Sequence, residues 1–291
     1  MPTAKPVNVR SMIDDSALQG SYSRVRDVKQ EMEISTLIGK IPYRLAFAGG
    51  WIDQPFISRL NPAPPGSMVV VSLEPIFPLM DRCGMATSTR KIAARLWPDG
   101  LPDNSPAELV RQLYNLENSR KVEPSGSQDM AGLIYPGVSR LDYDYRVEGG
   151  YFPCHVESNN DPHVAAWLER VIHMVPVASR PNGYGPLGIK NLDVEWVRRL
   201  SQSGKDCYNA ILATDTARLG ASMNECMLCW EALLPQTVRH PALNVDLMGV
   251  LAYYQSHFAG AMYSGCGGGY LFVVAEEEVP GSFHVKVRIK K

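Results

Sequence analysis

The sequence predicts a fold that mixes helices and strands, and three patterns support this. Residues 67–73 form a run rich in β-branched side chains, which is typical of a core strand. Residues 192–219 and 221–234 carry apolar side chains at intervals of three and four, which indicates two helices. Four glycines within residues 265–269 precede another β-type run. These patterns exclude a fold built from one type of element.

Length and composition indicate a folded protein with a real core. The chain has 291 residues, of which 45% are hydrophobic, and this suffices for one large domain or two medium ones. A formal net charge of −1 gives no global basic field for nucleic acid. No apolar run reaches the ~18 residues of a membrane span, and residues 1–39 lack the apolar region of a secretory signal. We therefore expect a cytoplasmic protein with neither nucleic acid nor a membrane as partner.

Cysteines and histidines show no pattern of a disulfide framework or a metal site. Six cysteines in a chain of this length do not indicate a framework. Cys226 and Cys229 are spaced like a metal-binding pair, but they lie in a helical pattern without two further ligands at suitable spacing. Core packing is the favoured interpretation. The six histidines also show no ligand-type spacing.

Residues 83–97 are the segment around which we expect a site to be organised. Gly84 is followed by the hydroxyl residues Thr87, Ser88 and Thr89 and then by a helical sequence. A glycine allows close approach of a ligand, and the first amides of a helix are free to bind an anion. The segment predicts a phosphate cradle, although an ordinary capped helix has the same pattern.

Residues 41–55 predict a strand that ends in a turn. Alternating side chains up to Phe47 precede the pair Gly49 and Gly50, and Trp51 and Asp53 follow. A carboxylate beside an aromatic ring suits a sugar, whose hydroxyls and apolar face would contact them. The alternative is a hairpin turn with a surface aspartate.

Two further acidic residues lie near predicted helices. Ser105, Pro106 and Glu108 predict a capping box that starts a helix through about residue 120, and Glu117 lies near the end of that helix. Asp129 follows a turn and lies near the start of another helix, where a role as helix cap is the alternative. The glycines of residues 265–269 are costly in chain entropy, so we favour a close backbone approach to a ligand or to another loop.

In their order along the chain, these motifs resemble those of the GHMP kinases, the superfamily of galactokinase, mevalonate kinase and homoserine kinase. The Ala-Gly-Gly-Trp-x-Asp form of residues 48–53 is similar to that of the fucokinase and heptose-7-phosphate kinase branch. Residues 84–89 resemble the phosphate loop, residues 264–270 the C-terminal glycine motif, and residues 126–129 the segment with the catalytic aspartate. The resemblance runs from about residue 41 to the C-terminus.

The resemblance implies an α+β fold of two lobes with the active site between them. The lobes would comprise residues 34–157 and 158–291, preceded at residues 1–33 by an arm or peripheral helix. Only 30 residues separate Asp53 from Gly84, which implies a trimmed N-terminal lobe and leaves the donor nucleotide open.

It also implies phosphorylation of a hydroxyl with ATP and Mg²⁺. Asp129 would accept or orient the hydroxyl proton, and Arg44 would keep that carboxylate ionised. Mg²⁺ would bind Ser88 and Glu117. The nucleotide would be held by the loop residues Cys83, Gly84, Met85, Ala86, Thr87, Ser88 and Thr89. The substrate would be held by Trp51, Asp53, Gly265, Gly267 and Gly268.

We therefore expect a small-molecule kinase whose substrate is a sugar or a sugar phosphate, with the anomeric hydroxyl as acceptor. Two alternatives stay open at this point. One is a catalytically silent protein that binds a sugar or a nucleotide on the same fold, and the other is a kinase of a non-sugar alcohol. A monomer and a homodimer are both compatible with the sequence.

Overall fold

The computed structural model describes residues 38–121 and 124–290. The predicted arm at residues 1–33 lies outside this part of the chain. Residues Lys40–Lys291 form one compact unit. The strands are β1 (Tyr43–Ala46), β2 (Gly66–Leu73), β3 (Val138–Tyr143), β4 (His155–Asn159), β5 (Ile172–Ala178), β6 (Gly260–Gly265) and β7 (Gly268–Val274). The α-helices are α1 (Pro55–Ser58), α2 (Thr87–Leu96), α3 (Pro106–Asn118), α4 (Gln128–Ile134), α5 (Pro162–Val171), α6 (Val194–Leu212), α7 (Thr216–Leu233) and α8 (Leu247–His257).

The strands form two antiparallel sheets. The first has the order β1-β2-β3-β4, and the second has the order β5-β7-β6. In the first sheet Tyr43 is opposite Leu73, and Gly66 is opposite Tyr143. This mixed architecture confirms the predicted α+β class. The predicted boundary at residues 157 and 158 falls within β4, and the division into lobes stays a prediction.

Strand β2 is the centre of the first sheet. All eight of its residues are buried, and helices α4 and α6 both pack against it. Its Met-Val-Val-Val run is the continuous apolar pattern of a strand covered by other elements, rather than the alternation of a half-exposed one. The predicted strand at residues 67–73 is therefore confirmed, with one residue added at its start.

The ends of several helices differ from the sequence prediction. The predicted helix at residues 192–219 is broken because Thr214 adopts a positive φ of 50° and Asp215 then caps α7 through the amide of Arg218. The capping box predicted at Ser105 is wrong, since the Ser105 side chain makes no cap hydrogen bond in a segment that is described throughout. None of the described helices is both long and apolar enough to cross a membrane.

The C-terminal segment joins the two sheets without forming a strand. Residues 283–289 have a β-type sequence, but the structure has only isolated bridges there, from Phe283 to Met174 and from Val287 to Leu73. Arg288 Nη2 donates hydrogen bonds to the carbonyl oxygens of Leu133 and Ile134, at 3.2 and 2.7 Å. The segment therefore ties β5, β2 and α4 together.

All six cysteines lie in the described part of the chain as free thiols. Cys226 and Cys229 are fully buried in helix α7, within the hydrophobic core. The prediction that they serve packing is confirmed.

Candidate active site

A cavity of about 800 Å³ is the candidate site. Its walls come mainly from the end of β1 with the turn after it, the loop before α2, the start of α4, and the loops after β5 and β6, and they are completed by Tyr145, Tyr151 and Trp230. Five basic and two acidic side chains line it. They are Arg44, Arg59, Arg82, Arg180, Lys190, Asp53 and Asp129. Because positive charge is in excess, the cavity favours an anionic ligand.

A buried ion pair forms the floor of this cavity. The Arg44 guanidinium on β1 contacts the carboxylate of Asp129, in the first turn of α4. The Arg44 side chain is only 4% exposed, and Nη1 also donates to the carbonyl oxygen of Gly84 at 3.1 Å. Gly132 is required in α4, since a Cβ there would overlap the Arg44 side chain. One arginine thus connects the aspartate to the phosphate-loop segment.

Asp53 is the second carboxylate of the cavity and is almost completely buried. Burial, and after it the charge of Asp129, raise its pKa to about 7. The Arg44 charge and the backbone N–H groups of Asp53 and Gln128 oppose this pKa increase. The backbone of Gly126 packs against the carboxylate so closely that a Cβ would overlap it. We refer to Arg44, Asp53 and Asp129 as the cavity cluster.

The loop before α2 lies against the glycine-rich segment between β6 and β7. Gly84 has a positive φ of 78°, and a Cβ there would lie 2.7 Å from the Cα of Gly265. The Ser264 hydroxyl donates to the carbonyl oxygen of Cys83 at 2.5 Å. Ala86, with a φ of 54°, then leads into the first turn of α2. The close backbone approach expected of this glycine segment is to another loop.

Trp51 is held in an uncommon backbone conformation at the edge of the cavity. Its φ is 82°, a region that bulky residues rarely adopt and that costs energy. Its ring lies edge-on to Trp230, with centroids 6.5 Å apart, and Trp230 Nε1 donates to the carbonyl oxygen of Gly50 at 3.2 Å. This arrangement presents an aromatic surface next to Asp53.

No protein-family model and no curated protein sequence matches the chain. Several solved structures, in contrast, match it over most of its length. Galactokinase of Lactococcus lactis complexed with galactose has a TM-score of 0.59 at 10% identity, covering 94% of this chain and 98% of its own. A mevalonate kinase has a TM-score of 0.55 at 11% identity, and the match covers 86% of this chain and 98% of that kinase. D-glycero-D-manno-heptose 1-phosphate kinase from Bacteriodes thetaiotaomicron has a TM-score of 0.51 at 12% identity, and the match covers 86% of this chain and 95% of that kinase.

This chain has the GHMP kinase fold. The resemblance of short motifs in the sequence and the likeness of the whole structure therefore point to the same fold. At identities of 10–12% the likeness establishes the fold, and the chemistry has to be argued from the cavity itself.

Most of the predicted site residues meet at the cavity of this GHMP kinase fold. Those that line it are Arg44, Trp51, Asp53, Gly84, Ala86, Thr87, Ser88, Asp129 and Gly265. The other predicted loop residues, Cys83, Met85 and Thr89, are buried beneath the loop and support its shape. Burial raises the pKa of the Cys83 thiol to about 11, so the thiol stays protonated at neutral pH. Gly267 and Gly268 lie outside the lining, where Gly267 packs behind the ring of Tyr184.

Glu117 is not part of the cavity wall. Its Oε1 accepts a hydrogen bond from Lys121 at 3.0 Å, and the same ammonium group donates to the Ser125 hydroxyl at 2.6 Å. Ser125 lines the cavity. The second oxygen of Glu117, Oε2, is buried without a hydrogen-bond partner among the described residues. Glu117 therefore lies one layer behind the wall, with one buried oxygen that no described residue satisfies.

Sequence reasoning missed the basic residues of the loops after α1, after β2 and after β5. Arg82 donates to Asn182 Oδ1 at 2.5 Å and to the Pro181 carbonyl at 2.7 Å, which joins the phosphate-loop segment to the loop after β5. Arg180 Nε is buried without a partner among the described residues. The loop position after a strand was a general signal of a site wall, but single basic residues carry no motif. Arg59 and Lys190 were also missed, for the same reason.

Proposed function

We propose that this protein is a small-molecule kinase, which transfers the γ-phosphoryl group of a magnesium nucleotide, ATP in the first instance, to a hydroxyl of a sugar or sugar phosphate. The observation that carries the proposal is the cavity in which Asp129 and Arg44 lie beside the loop of residues 83–89. Phosphoryl transfer depends mainly on positioning and on neutralisation of charge. A cavity with two carboxylates and five cations has the groups for both.

Asp129 is the proposed proton acceptor. It lies in the first turn of α4, faces the cavity, and is 23% exposed, so a substrate hydroxyl can reach it. Arg44 holds the carboxylate in place and adds a fixed positive charge near the transferred group. A positioned base of this kind contributes about 10²–10⁴-fold to a rate.

The loop of residues 83–89 and the N-terminus of α2 are the proposed phosphate site. Helix α2 begins at Thr87, which lines the cavity together with Ser88, and the first amides of a helix are free to bind an anion. Arg82 and Arg180 supply further positive charge from two sides. Together these groups would bind the nucleotide phosphates and stabilise the charge that develops during transfer.

Oxygen donors near the loop fit Mg²⁺, which prefers such ligands. The Ser88 side chain faces the cavity, Gln128 Oε1 is a buried oxygen without a partner among the described residues, and Glu117 Oε2 is another. Ser88 and Glu117 are the residues we propose to hold the ion, with Gln128 as an additional candidate. When bound, Mg²⁺ would neutralise phosphate charge.

The part of the cavity around Trp51 and Asp53 is the proposed acceptor site. Trp51 offers a ring face. Asp53 offers a carboxyl group with a pKa of about 7, which can donate a hydrogen bond to a hydroxyl or accept one from it. Lys190, whose Nζ lies 4.5 Å from the centre of the Phe56 ring, adds a cation that would suit a phosphate on the substrate. These groups support a sugar or sugar phosphate over an apolar alcohol.

A silent binding protein is the second candidate, because only α1 and β2 lie between Asp53 and Gly84. The two candidates differ in one experiment on Asp129→Asn. We expect this variant to bind Mg²⁺-ATP with unchanged affinity and to lose at least ~10²-fold in phosphate transfer to a panel of sugars and sugar phosphates. Non-sugar alcohols form a separate arm of the panel.

The matched control is Asp99→Asn, because the Asp99 side chain is 99% exposed and does not line the cavity. It should transfer phosphate like the unchanged protein. Full activity of Asp129→Asn would overturn the proposed role of that residue. Ligand binding without transfer by the unchanged protein, across every arm, would establish the silent alternative.

A further inference from the structure

Two histidines and a glutamate meet on the second sheet, away from the cavity. His173 belongs to β5, whereas Glu278 and His284 follow β7 in the C-terminal segment. Phe283 and Met174 exchange two backbone hydrogen bonds of 2.9 and 3.1 Å, and this antiparallel pairing brings the adjacent residues His173 and His284 together. The rings of His173 and His284 lie with centroids 4.5 Å apart. We refer to His173, Glu278 and His284 as the histidine cluster.

The ligand atoms of the histidine cluster are close enough to share an ion. One nitrogen or oxygen atom from each residue lies within 4.8 Å of the other two. His284 Nε2 is 3.9 Å from Glu278 Oε2. The Glu278 side chain is 90% exposed, so it is free to move toward an ion and shorten this separation.

His173 carries a buried polar atom that nothing in the described residues satisfies. The residue is 1% exposed, and its Nε2 has no hydrogen-bond partner there. Its Nδ1 lies 3.3 Å from the hydroxyl of Ser282. An unpartnered buried group is costly, and a bound ion would remove that cost.

The hydrogen bonds of both rings leave the Nε2 atoms to a ligand. His284 Nδ1 lies 2.8 Å from the carbonyl oxygen of Glu169. A carbonyl oxygen only accepts, so Nδ1 carries the proton and Nε2 of the neutral ring carries a lone pair. Metal-binding histidines hold their second nitrogen in this way.

We propose that His173, Glu278 and His284 bind one divalent transition-metal ion, with Zn²⁺ as the expected ion and water as a further ligand. Two imidazoles and one carboxylate are a donor set that suits Zn²⁺ and leaves an open position. The neighbouring carboxylate of Glu277 is also exposed and adds negative charge around the cation. The ion would tie the C-terminal segment to β5.

The test starts from the full chain after treatment with a chelator. The chain is titrated with Zn²⁺, and calorimetry measures the number and the affinity of the sites. We expect one tight site per chain in the unchanged protein. His284→Ala should weaken it by at least ~100-fold, and Glu278→Gln by at least ~10-fold. Both residues are surface-accessible, so the variants are expected to fold.

The control is His257→Ala. His257 is also exposed, and its Nδ1 also lies against a carbonyl oxygen, that of Tyr253 at 2.7 Å, but it belongs to no group of ligands in the described residues. The affinity of the His257→Ala variant for Zn²⁺ should equal that of the unchanged protein. An unchanged affinity in His284→Ala, or no tight site in the unchanged protein, would overturn the proposal.

Cysteine is the competing ligand, and Co²⁺ distinguishes the two. Binding at the histidine cluster should give cobalt absorption without a thiolate-to-metal charge-transfer band, whereas such a band would assign the site to a cysteine and overturn the proposal. Asp129→Asn should bind Zn²⁺ unchanged, because Asp129 belongs to the cavity. The metal site is therefore tested independently of kinase activity.

Discussion

The cavity cluster and the histidine cluster both bury titratable side chains, but they stabilise them in different ways. In the cavity cluster, Arg44 pairs with Asp129 and its charge also reaches Asp53. In the histidine cluster, His173 Nε2 has no partner among the described residues. The first cluster thus compensates its own charges within the fold, whereas the second depends on a ligand. Substitutions should be costly in the first without any ligand, and costly in the second only when the ion is bound.

The largest effect is expected for Arg44→Met. This change removes the partner of Asp129 and leaves a carboxylate in a mostly buried position. Breaking such a pair costs about 3–5 kcal/mol in free energy of unfolding, which urea denaturation measures. Arg111→Met is the matched control, since the Arg111–Glu148 pair is about half exposed on both sides and should cost less than about 1 kcal/mol. Equal losses would contradict a special role for the cavity pair.

Asp53→Asn should change how stability depends on pH. The folded pKa of about 7 lies above the ordinary 3.8, so between these values the folded state holds a proton that the unfolded state has lost. Stability therefore falls as pH rises from about 4 to about 7. A pKa that rises from 3.8 to about 7 on folding corresponds to about 4 kcal/mol in free energy of unfolding.

Asparagine stays neutral, so the variant should lack this decrease and should be more stable than the unchanged protein at pH 8. Denaturation at pH 4, 6 and 8 measures the free energy of unfolding. Asp99→Asn is the control, and it should keep the decrease in stability with rising pH. Parallel curves for Asp53→Asn and the unchanged protein would show that Asp53 does not titrate in this range.

Gly132→Ala tests how closely α4 must approach β1. A Cβ at Gly132 would overlap the Arg44 side chain, so the helix or the arginine must shift, at about 1–3 kcal/mol. Gly185→Ala is the control because a Cβ at Gly185 has no atom within 4 Å and φ is not positive. It should change the free energy of unfolding by less than about 0.5 kcal/mol. No loss in Gly132→Ala would mean that the pair tolerates displacement.

The smallest effect is expected for His284→Ala in the absence of metal. The side chain is 39% exposed and loses one hydrogen bond, so the cost should be about 0.5–1 kcal/mol. With Zn²⁺ present, the difference from the unchanged protein should grow, because only the latter gains stability by binding. Thermal unfolding with and without Zn²⁺ measures both values. A large loss without metal would remove the contrast between the two clusters.

Sequence reasoning succeeded where the structure depends on neighbouring residues. The helical sequence that begins with the hydroxyl residues 87–89 and the apolar run of β2 were predicted closely, because local backbone preferences and hydrophobic period are contiguous signals. It failed at Ser105, where a capping pattern is present but the hydrogen bond is not. It also failed at Thr214, where a left-handed residue breaks a continuous helical pattern. Such choices are set by packing rather than by propensity.

The sequence by itself determined the mixed fold, the loop before α2 and the candidate carboxylates at Asp53 and Asp129. Only the tertiary structure decided that Arg180 and Lys190 face the same cavity, that Glu117 lies behind its wall, and that two histidines without any ligand-type spacing meet. His173 and His284 come together because the C-terminal segment pairs with β5. Contacts between residues so far apart depend on how the elements pack, and no local pattern of residues encodes them.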